Sequence, residues 1–296
     1  MSGSKRHHFL PVFYVKVFTN PDGFFHVYDV RKKVFKNNGG KFAPSTQFYE
    51  HFGNSILMNG IQDNYVEESY TEMDNRIAAI IRKIQQGRDA ELDSDEWQIL
   101  QYFVAITHWR IPANTNKVKD FISQAKSIED LKMKLIDKPT GQPASDKEQM
   151  ELLTKIKADK EFYKYIKLGL PAITYPEIFQ KDFTNAGHII PFKFPLPKLL
   201  SDNPIIYANP GKQSLHTDDF IFPLTPTNML IRHRFKKLTV HPGVRILIDM
   251  MQLVQANEYV SSSDLEYPLK LQQTYLEFYG SVEKLREAIF AGITEG

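Results

Sequence analysis

The pattern of apolar and polar positions changes twice along the chain, and the first part has the character of β-structure. Residues 23–30 and 34–36 are rich in aromatic and β-branched residues and flank a basic turn, which predicts a β-hairpin. Residues 11–18 fit either a short helix with Pro11 at its start or a further strand. We favour the helix.

From Val66 onward the apolar residues recur every three or four positions, which predicts an amphipathic helix ending near Gly87. Ser94 is placed to cap a second helix, from Asp95 to about Arg110. That helix is apolar nearly all round and is therefore expected to be buried. Further helices are predicted at 116–136, at about 147–167, from Val244 to about Tyr259, and from Val282 to Phe290.

Residues 188–240 return to short apolar runs divided by prolines, with strands predicted at 205–207, 220–222 and 229–233. We expect these strands and the N-terminal hairpin to share one sheet or to pack together. The predicted fold class is therefore α+β, mostly helical, with a small antiparallel sheet built from the hairpin and from strands in 188–240. We expect a single domain over 1–296, with the Pro/Gly-containing segment 138–146 as a weak internal boundary.

Composition narrows the class of protein. The 296 residues include 12% aromatic residues and carry a formal net charge of +2, which is typical of a packed globular protein without a global field for nucleic acid or membranes. The absence of cysteine excludes disulfides, thiolate metal sites and cysteine nucleophiles. No signal-peptide core and no apolar run of about 18 residues is present, so we expect a soluble, cytoplasmic protein. The common phosphate-loop, dinucleotide-binding and serine-hydrolase motifs are missing.

The histidine doublet His7-His8 is the first candidate for chemistry, because imidazole titrates near neutrality and serves as acid, base or metal ligand. The alternative is a structural role or the remnant of a purification tag. In an extended segment, neighbouring side chains point to opposite faces. Only one of the two histidines would then enter a given site, and we favour His8.

Acidic and amide side chains supply the next candidates. Asp202 and Asn203 precede Pro204 and a predicted strand, where Asp202 is either an acid presented to a cleft or part of a simple Asx turn. Glu67 and Asp74 are seven residues apart on one face of the first long helix. They are either ligands of a hard metal ion or acids that complement the helix dipole.

Basic residues occur at two places of interest. Arg110, close to His108 at the end of the apolar helix, either interacts with the helix C-terminus or directs its guanidinium at a phosphate or carboxylate. The segment 232–237 is the strongest basic cluster and either contacts nucleic acid or forms a solvated strand end. Its candidate partner residues are Arg232, Arg234, Lys236 and Lys237.

Taken in order, these motifs resemble a bacterial family known only as domain of unknown function 4238. The resemblance rests on short motifs spread over most of the chain: His7-His8-x-x-Pro11-x-Phe13-Tyr14, Phe18, Asp22-Gly23, Phe48-Tyr49, Glu67 with Asp74, Arg110-Ile111-Pro112, Ser201-Asp202-Asn203-Pro204, Phe222-Pro223-Leu224-Thr225-Pro226 and Gln255-Ala256-Asn257-Glu258-Tyr259-Val260. Two positions depart from it, since the family usually has glutamate at position 74 and threonine at position 111. The resemblance implies that the histidines are native, and it implies no activity.

Two functional hypotheses follow from these residues. The first is a metal-assisted hydrolase of phosphodiesters, a nuclease or nucleotide hydrolase of the kind used as a toxin or phage-defence effector. In it Glu67, Asp74 and Asp202 hold Mg²⁺ or Mn²⁺, His7 or His8 transfers protons, and Arg110 stabilises negative charge, with Asn203 beside them. The second is a non-enzymatic binding or regulatory module that recognises a protein or nucleic-acid partner.

Overall fold

A computed structural model describes residues 6–51, 56–58, 61–63, 65–159, 163–164, 166–172, 187–211, 215 and 218–296. Within this part of the chain the long elements are helices, and residues 166–172 are also helical. The helices are α1 (Val12–Val17), α2 (Tyr65–Gln85), α3 (Ser94–Arg110), α4 (Thr115–Gln124), α5 (Asp146–Ala158), α6 (Val244–Val254), α7 (Tyr267–Phe278) and α8 (Val282–Ala291). Among the described residues, no helix has both the length and the apolar character that crossing a bilayer requires.

The strands are short and pair antiparallel throughout the described residues. They are β1 (Arg6–His8), β2 (Phe25–Asp29), β3 (Val34–Phe35), β4 (Lys41–Phe42), β5 (Tyr49–His51), β6 (Ile56–Met58), β7 (Ile61–Asp63), β8 (Gly187–Pro191), β9 (Leu199–Ser201), β10 (Ile206–Tyr207), β11 (Phe220–Pro223), β12 (Asn228–Arg232), β13 (Leu238–Val240), β14 (Tyr259–Ser262) and β15 (Ile293–Glu295).

Two sheets carry most of the β-structure. One has the order β3-β2-β14-β9 with β4 also paired to β2, and the other has the order β10-β11-β12-β8. Three strand pairs (β1 with β5, β6 with β7, β13 with β15) stand apart from them. The predicted α+β class is confirmed. The hairpin and the 188–240 region do share a sheet, through β9, but β14 lies between them and was not expected.

The prediction of a helix reaching Tyr259 is wrong, because the chain leaves α6 at Val254 and enters β14. The reason is a competing set of hydrogen bonds. The backbone N–H groups of Asn257 and Glu258 donate to the carboxylate of Asp202, so they are not available to carbonyl groups one turn earlier. A tertiary contact from 55 residues away ends the helical segment.

Two other helix predictions need correction. The helix predicted over 116–136 ends at Gln124, where the carboxylate of Asp130 accepts from the N–H groups of Lys126 and Ser127 and holds a turn instead. The helix predicted to reach 167 ends at Ala158.

The N-cap of α3 is Asp93 rather than Ser94. Its side chain accepts from the N–H of Glu96, whose carboxylate accepts from the N–H of Asp93 in return. The preference for a helix after Pro11 is confirmed by α1.

The apolar side chains collect into separate clusters that relate the elements to one another. The largest packs α1, α2 and α3 against β2 and β11, and a second packs α6, α7 and α8 against the sheets. A third joins α4, α5 and the helical residues 166–172. Leu131 and Leu153 both belong to this third cluster, so the segment 138–146 runs between two parts of one apolar cluster rather than between separate ones.

The first cluster brings the N-terminal segment against α2 and α3. Tyr14 of α1 is fully buried and its hydroxyl donates to the carbonyl of Pro223 in β11. Its ring contacts Phe103 of α3 edge-on, with 5.2 Å between centroids. This packing fixes β1, α1, the middle of α2 and the end of α3 around a common cavity.

Candidate functional site

A cavity of about 260 Å³ lies where β1, α1, α2 and the end of α3 meet. Three residues singled out in the sequence, His8, Asp74 and Arg110, line it together. The full lining is His8, Pro11, Val12, Phe13, Tyr70, Thr71, Asp74, Asn75, Ala78 and Arg110. We call this the Arg110 cavity. His7, Asp202, Asn203 and the 232–237 segment do not line it.

Arg110 is the last residue of α3 and is only 6% exposed. The helix stops there because Ile111, which precedes Pro112, is extended. One guanidinium nitrogen, Nη2, donates to the carbonyl of His8, and the guanidinium carbon lies 4.4 Å from the centre of the Tyr70 ring. Its Nε and Nη1 are buried and find no hydrogen-bond partner within the described chain.

Leaving these donors unpaired is costly, since a buried polar group without a partner costs on the order of 1–3 kcal/mol and more when charged. An anion that reaches Nε and Nη1 would remove this cost.

A second cation lies in electrostatic range of Arg110. Lys167, in the helical residues 166–172, has its pKa lowered mainly by burial, with a further lowering from the positive charge of Arg110 and an opposing contribution from Glu50. The carboxylate of Glu50 affects the pKa of Lys167 more than Arg110 does, so Glu50 is an anion in range of Lys167, which does not line the Arg110 cavity. Lys167 was not identified from the sequence, because nothing in its local pattern distinguishes it from the other lysines of 155–167.

The two histidines of β1 point to opposite faces. His7 is 3% exposed, whereas His8 is half-buried and lines the Arg110 cavity. The Nε2 of His8 is 3.2 Å from the carbonyl oxygen of Ser45, which can only accept, so Nε2 carries the proton of the neutral ring. Nδ1 is therefore the basic nitrogen of His8.

Asp74 brings a carboxylate to the same cavity from α2, where it is half-buried. The side chain of Glu67, two turns earlier, lies outside the described residues, so its predicted partnership with Asp74 stays a prediction. In the described part of the chain, no group of three or more histidine, aspartate or glutamate side chains has the arrangement of a metal site. Asp74 could hold a cation only together with water, Glu67 or groups of a ligand.

Other residues of the Arg110 cavity were missed in the sequence. Tyr70 was assigned to the apolar stripe of α2, and it is buried, but its ring also supports the guanidinium of Arg110. Thr71 and Asn75 are one turn apart on the exposed side of α2. The spacing of Thr71, Asn75 and Ala78 on one helix face was the available signal.

Asp202 has a different environment from the one expected of a metal ligand. It is 2% exposed, and its two oxygens accept from the backbone N–H groups of Asn257 (2.7 Å), Glu258 (2.7 Å) and Tyr259 (2.9 Å). The amide of Asn203 donates to the carbonyl of Gln255 (3.0 Å). The structure thus does not bring Asp202 or Asn203 to the Arg110 cavity. Both connect β9 to the segment that leads into β14, through contacts distant in sequence rather than through the local Asx turn given as the alternative.

Burial and these hydrogen bonds change the pKa of Asp202 in opposite directions. Desolvation is the larger effect and raises the pKa of Asp202 to about 6, although three backbone N–H donors lower it.

His108 occupies a second buried polar cluster. Its Nδ1 lies 2.7 Å from the hydroxyl oxygen of Tyr207 and 3.1 Å from the amide nitrogen of Asn114, which donates to the carbonyl of His108. The ring of His108 thus contacts Asn114 and Tyr207, although it lies two residues before Arg110 on α3.

The basic segment 232–237 lies at the end of β12 and in the loop that follows. Arg232 is half-buried and donates to the carbonyl of Asp218 (2.7 Å), whereas Arg234, Lys236 and Lys237 are exposed. Its proposed contact with nucleic acid stays a prediction.

Comparison with known proteins gives a family and no function. Neither a search of curated proteins nor a search of solved structures produced a match. One family model, described as "Protein of unknown function (DUF4238)", matches residues 6–264 of the 296. The chain therefore belongs to the DUF4238 family.

Proposed function

We propose that the Arg110 cavity binds a phosphate group and that the protein is a hydrolase of phosphodiesters. The observation that carries this proposal is the buried guanidinium of Arg110, whose Nε and Nη1 have no partner in the described chain. The N–H donors of a planar guanidinium suit the oxygens of a phosphate. The half-buried His8 and Asp74 in the same cavity supply a base and a carboxylate beside that position.

The reaction that these groups fit is attack of water on phosphorus. His8 Nδ1 takes a proton from the water as its oxygen bonds to phosphorus, and the bond from phosphorus to the leaving oxygen breaks. The leaving oxygen is protonated by solvent, which gives a phosphomonoester and an alcohol. Arg110 donates to the non-bridging oxygens, where negative charge accumulates in the transition state.

A divalent cation, Mg²⁺ or Mn²⁺, fits the charge distribution of the cavity. Asp74 lines the same cavity as the proposed phosphate, and a cation between the two would bind both. Mg²⁺ commonly binds through one or two protein carboxylates together with phosphate oxygens and water. Asp74, with Glu67 on the same helix face, is the carboxylate that would hold it, and Asp202 takes no part.

The histidine doublet offers a matched pair of variants. Purified protein is incubated with single-stranded RNA and DNA, with dinucleotides and with bis(p-nitrophenyl) phosphate, in Mg²⁺, Mn²⁺ or EDTA. We expect His8→Gln to lower kcat by about 10²–10⁴-fold, the usual contribution of a general base. His7→Gln is the control, because it makes the same change one residue away on the opposite face of β1. Equal turnover by wild type and His8→Gln contradicts the role of His8.

A second pair tests Arg110. Arg110→Lys keeps the charge but loses the planar guanidinium and its directed N–H donors, so kcat/KM should fall by about 10²-fold or more. Arg76→Lys, an exposed position on α2, serves as the control. Asp74→Asn should raise the metal concentration needed for half-maximal turnover.

The alternative function is a binding or regulatory module without catalysis. It is favoured by one observation, namely that Asp202 and Asn203 of the predicted site are engaged in structural hydrogen bonds. Phosphate-ester binding that depends on Arg110, with no turnover of any substrate in any metal, would establish this alternative and refute the hydrolase.

A further inference from the structure

A second cavity continues the Arg110 cavity along α2. It has a volume of about 430 Å³, and its lining includes Phe13 and Ala78, which also line the first cavity. The remaining lining residues are Lys16, Val17, Ile81, Arg82 and Gln85. The two cavities adjoin at Phe13 and Ala78, and together they are here called the α1–α2 groove.

The far end of the α1–α2 groove is cationic. Lys16 of α1 and Arg82 of α2 are both exposed, and neither side chain makes a hydrogen bond or ion pair within the described residues. The neighbouring Lys83 differs, since it pairs with Glu96 at 2.6 Å. Positive charge therefore occurs at both ends of the groove, from Arg110 at one end and from Lys16 with Arg82 at the other.

The separation of these charges indicates the size of the ligand. Asp74, beside Arg110, and Arg82 are eight residues apart on α2, which corresponds to about 12 Å along the helix axis. One phosphate group cannot contact both ends, whereas a chain with successive phosphates can. Phe13 lies between the ends, is half-buried and contributes to the lining of both cavities, as an aromatic platform would.

We propose that the α1–α2 groove binds an extended single-stranded oligonucleotide, with one phosphate at Arg110, a base stacked on Phe13 and a following phosphate at Lys16 and Arg82. Proteins that bind single strands combine a basic groove with aromatic stacking surfaces in this way. A duplex does not fit as well, because its bases are stacked on one another and are not available to Phe13. This inference rests on the proposed function in placing the scissile phosphate at Arg110.

Binding is measured in EDTA, so that it does not depend on turnover, by fluorescence anisotropy of a labelled ten-nucleotide RNA, the same sequence as DNA, the duplex of each, and a dinucleotide. The double variant Lys16→Gln with Arg82→Gln lacks the two cations at the far end of the groove. Its affinity for the decamer should be about tenfold lower or more at low salt, and its affinity for the dinucleotide should be unchanged. The slope of the logarithm of the binding constant against the logarithm of the salt concentration should become shallower by about 1.4, because each lost phosphate contact to a single strand contributes ~0.7.

Arg76→Gln with Lys119→Gln removes the same charge from exposed positions outside the groove and is the matched control. Equal decamer affinity of the groove variant and this control would overturn the proposal. So would equal affinity for the duplex and the single strand, or for the dinucleotide and the decamer. A failure of the hydrolase proposal looks different, because decamer binding then persists with the predicted dependence on Lys16 and Arg82 while no substrate is cleaved.

Discussion

Two buried charged residues, Arg110 and Asp202, show how hydrogen bonding distinguishes a site from a structural contact. Both stood out in the sequence as charged residues at the ends of apolar segments. Asp202 has both carboxylate oxygens engaged by backbone N–H groups of the segment before β14. Arg110 keeps two buried donors without a partner in the described chain. Sequence patterns cannot make this distinction, because it depends on backbone that is distant in sequence.

The acidity of Asp202 leads to a prediction about stability. Burial raises its pKa from about 3.9 in the unfolded chain to about 6, so the folded protein holds this proton more tightly than the unfolded one. Its contribution to the free energy of unfolding is therefore largest below pH 4 and is lost as the pH rises to 6. Relative to Asp202→Asn, which does not titrate, wild type should lose on the order of 3 kcal/mol between pH 4 and pH 7.

Urea unfolding of both proteins at half-unit pH intervals measures this difference directly. Asp22→Asn is a control at an exposed acid, whose pKa is lowered mainly by the hydrogen bond from Lys41. A difference between wild type and Asp202→Asn that grows with pH would show that the three N–H donors outweigh burial.

At the scale of the elements, periodic apolar spacing predicted most of the long helices, missed α7 and placed several helix ends wrongly. α3 is apolar on all sides and buried, as predicted, because that property is contained in its own residues. The end of α6 depends instead on Asp202, which takes the N–H groups that a longer helix would use. β14 was missed for the same reason, since its neighbours β2 and β9 are 230 and 60 residues away in sequence.

The candidate site was also predicted only in part. His8, Asp74 and Arg110 were identified as candidates because they are ionisable residues beside apolar segments, each with a structural alternative, and the structure brings them to one cavity. Tyr70 and Phe13 were not identified, because an aromatic residue at helical spacing has the same pattern whether it fills the core or lines a groove. Only the three-dimensional arrangement of α1, α2 and α3 separates these roles.

The close contact between α6 and α8 leads to a prediction about stability. Gly292 ends α8, and a Cβ atom at this position would lie 2.4 Å from Cγ2 of Val244, the first residue of α6. Gly292→Ala should therefore lower the free energy of unfolding by about 1–3 kcal/mol, the usual cost of overpacking. Gly211→Ala is the control, because its nearest neighbour, Asn209 Oδ1, is at an ordinary 3.4 Å.

A double variant distinguishes a local clash from a backbone effect. Val244→Ala makes room for the added methyl group, so Gly292→Ala should cost less in the Val244→Ala background than in wild type. Equal costs in both backgrounds would show that contact with Val244 is not the cause.

At the scale of the whole molecule, the proposed site belongs to the largest apolar cluster. α1, α2 and α3, which surround the Arg110 cavity, all pack in that cluster, whereas α4 and α5 pack in the third. A site for an extended ligand needs fixed distances between its binding groups. The helices around the α1–α2 groove should therefore have the highest free energy of local opening, and α4 and α5 should have the lowest.

Native-state hydrogen exchange tests this difference in local stability. The buried residues of α5 are Leu153 and Ile156, whereas α3 is buried over most of its length. The backbone amides of α5 should therefore exchange through a local opening of lower free energy than those of α3 and α6. Leu153→Ala should lower the opening free energy of α5 by about 2–4 kcal/mol, through the lost burial and the cavity left behind.

The same variant should leave the opening free energies of α3 and α6 unchanged, because an opening confined to α4 and α5 does not include the largest cluster. Lys147→Ala, at an exposed position in the first turn of α5, is the control for a change that removes no buried contact. If Leu153→Ala instead lowers the opening free energy equally in α3, α5 and α6, the third cluster opens only when the whole protein unfolds. The α1–α2 groove would then have no greater local stability than α5.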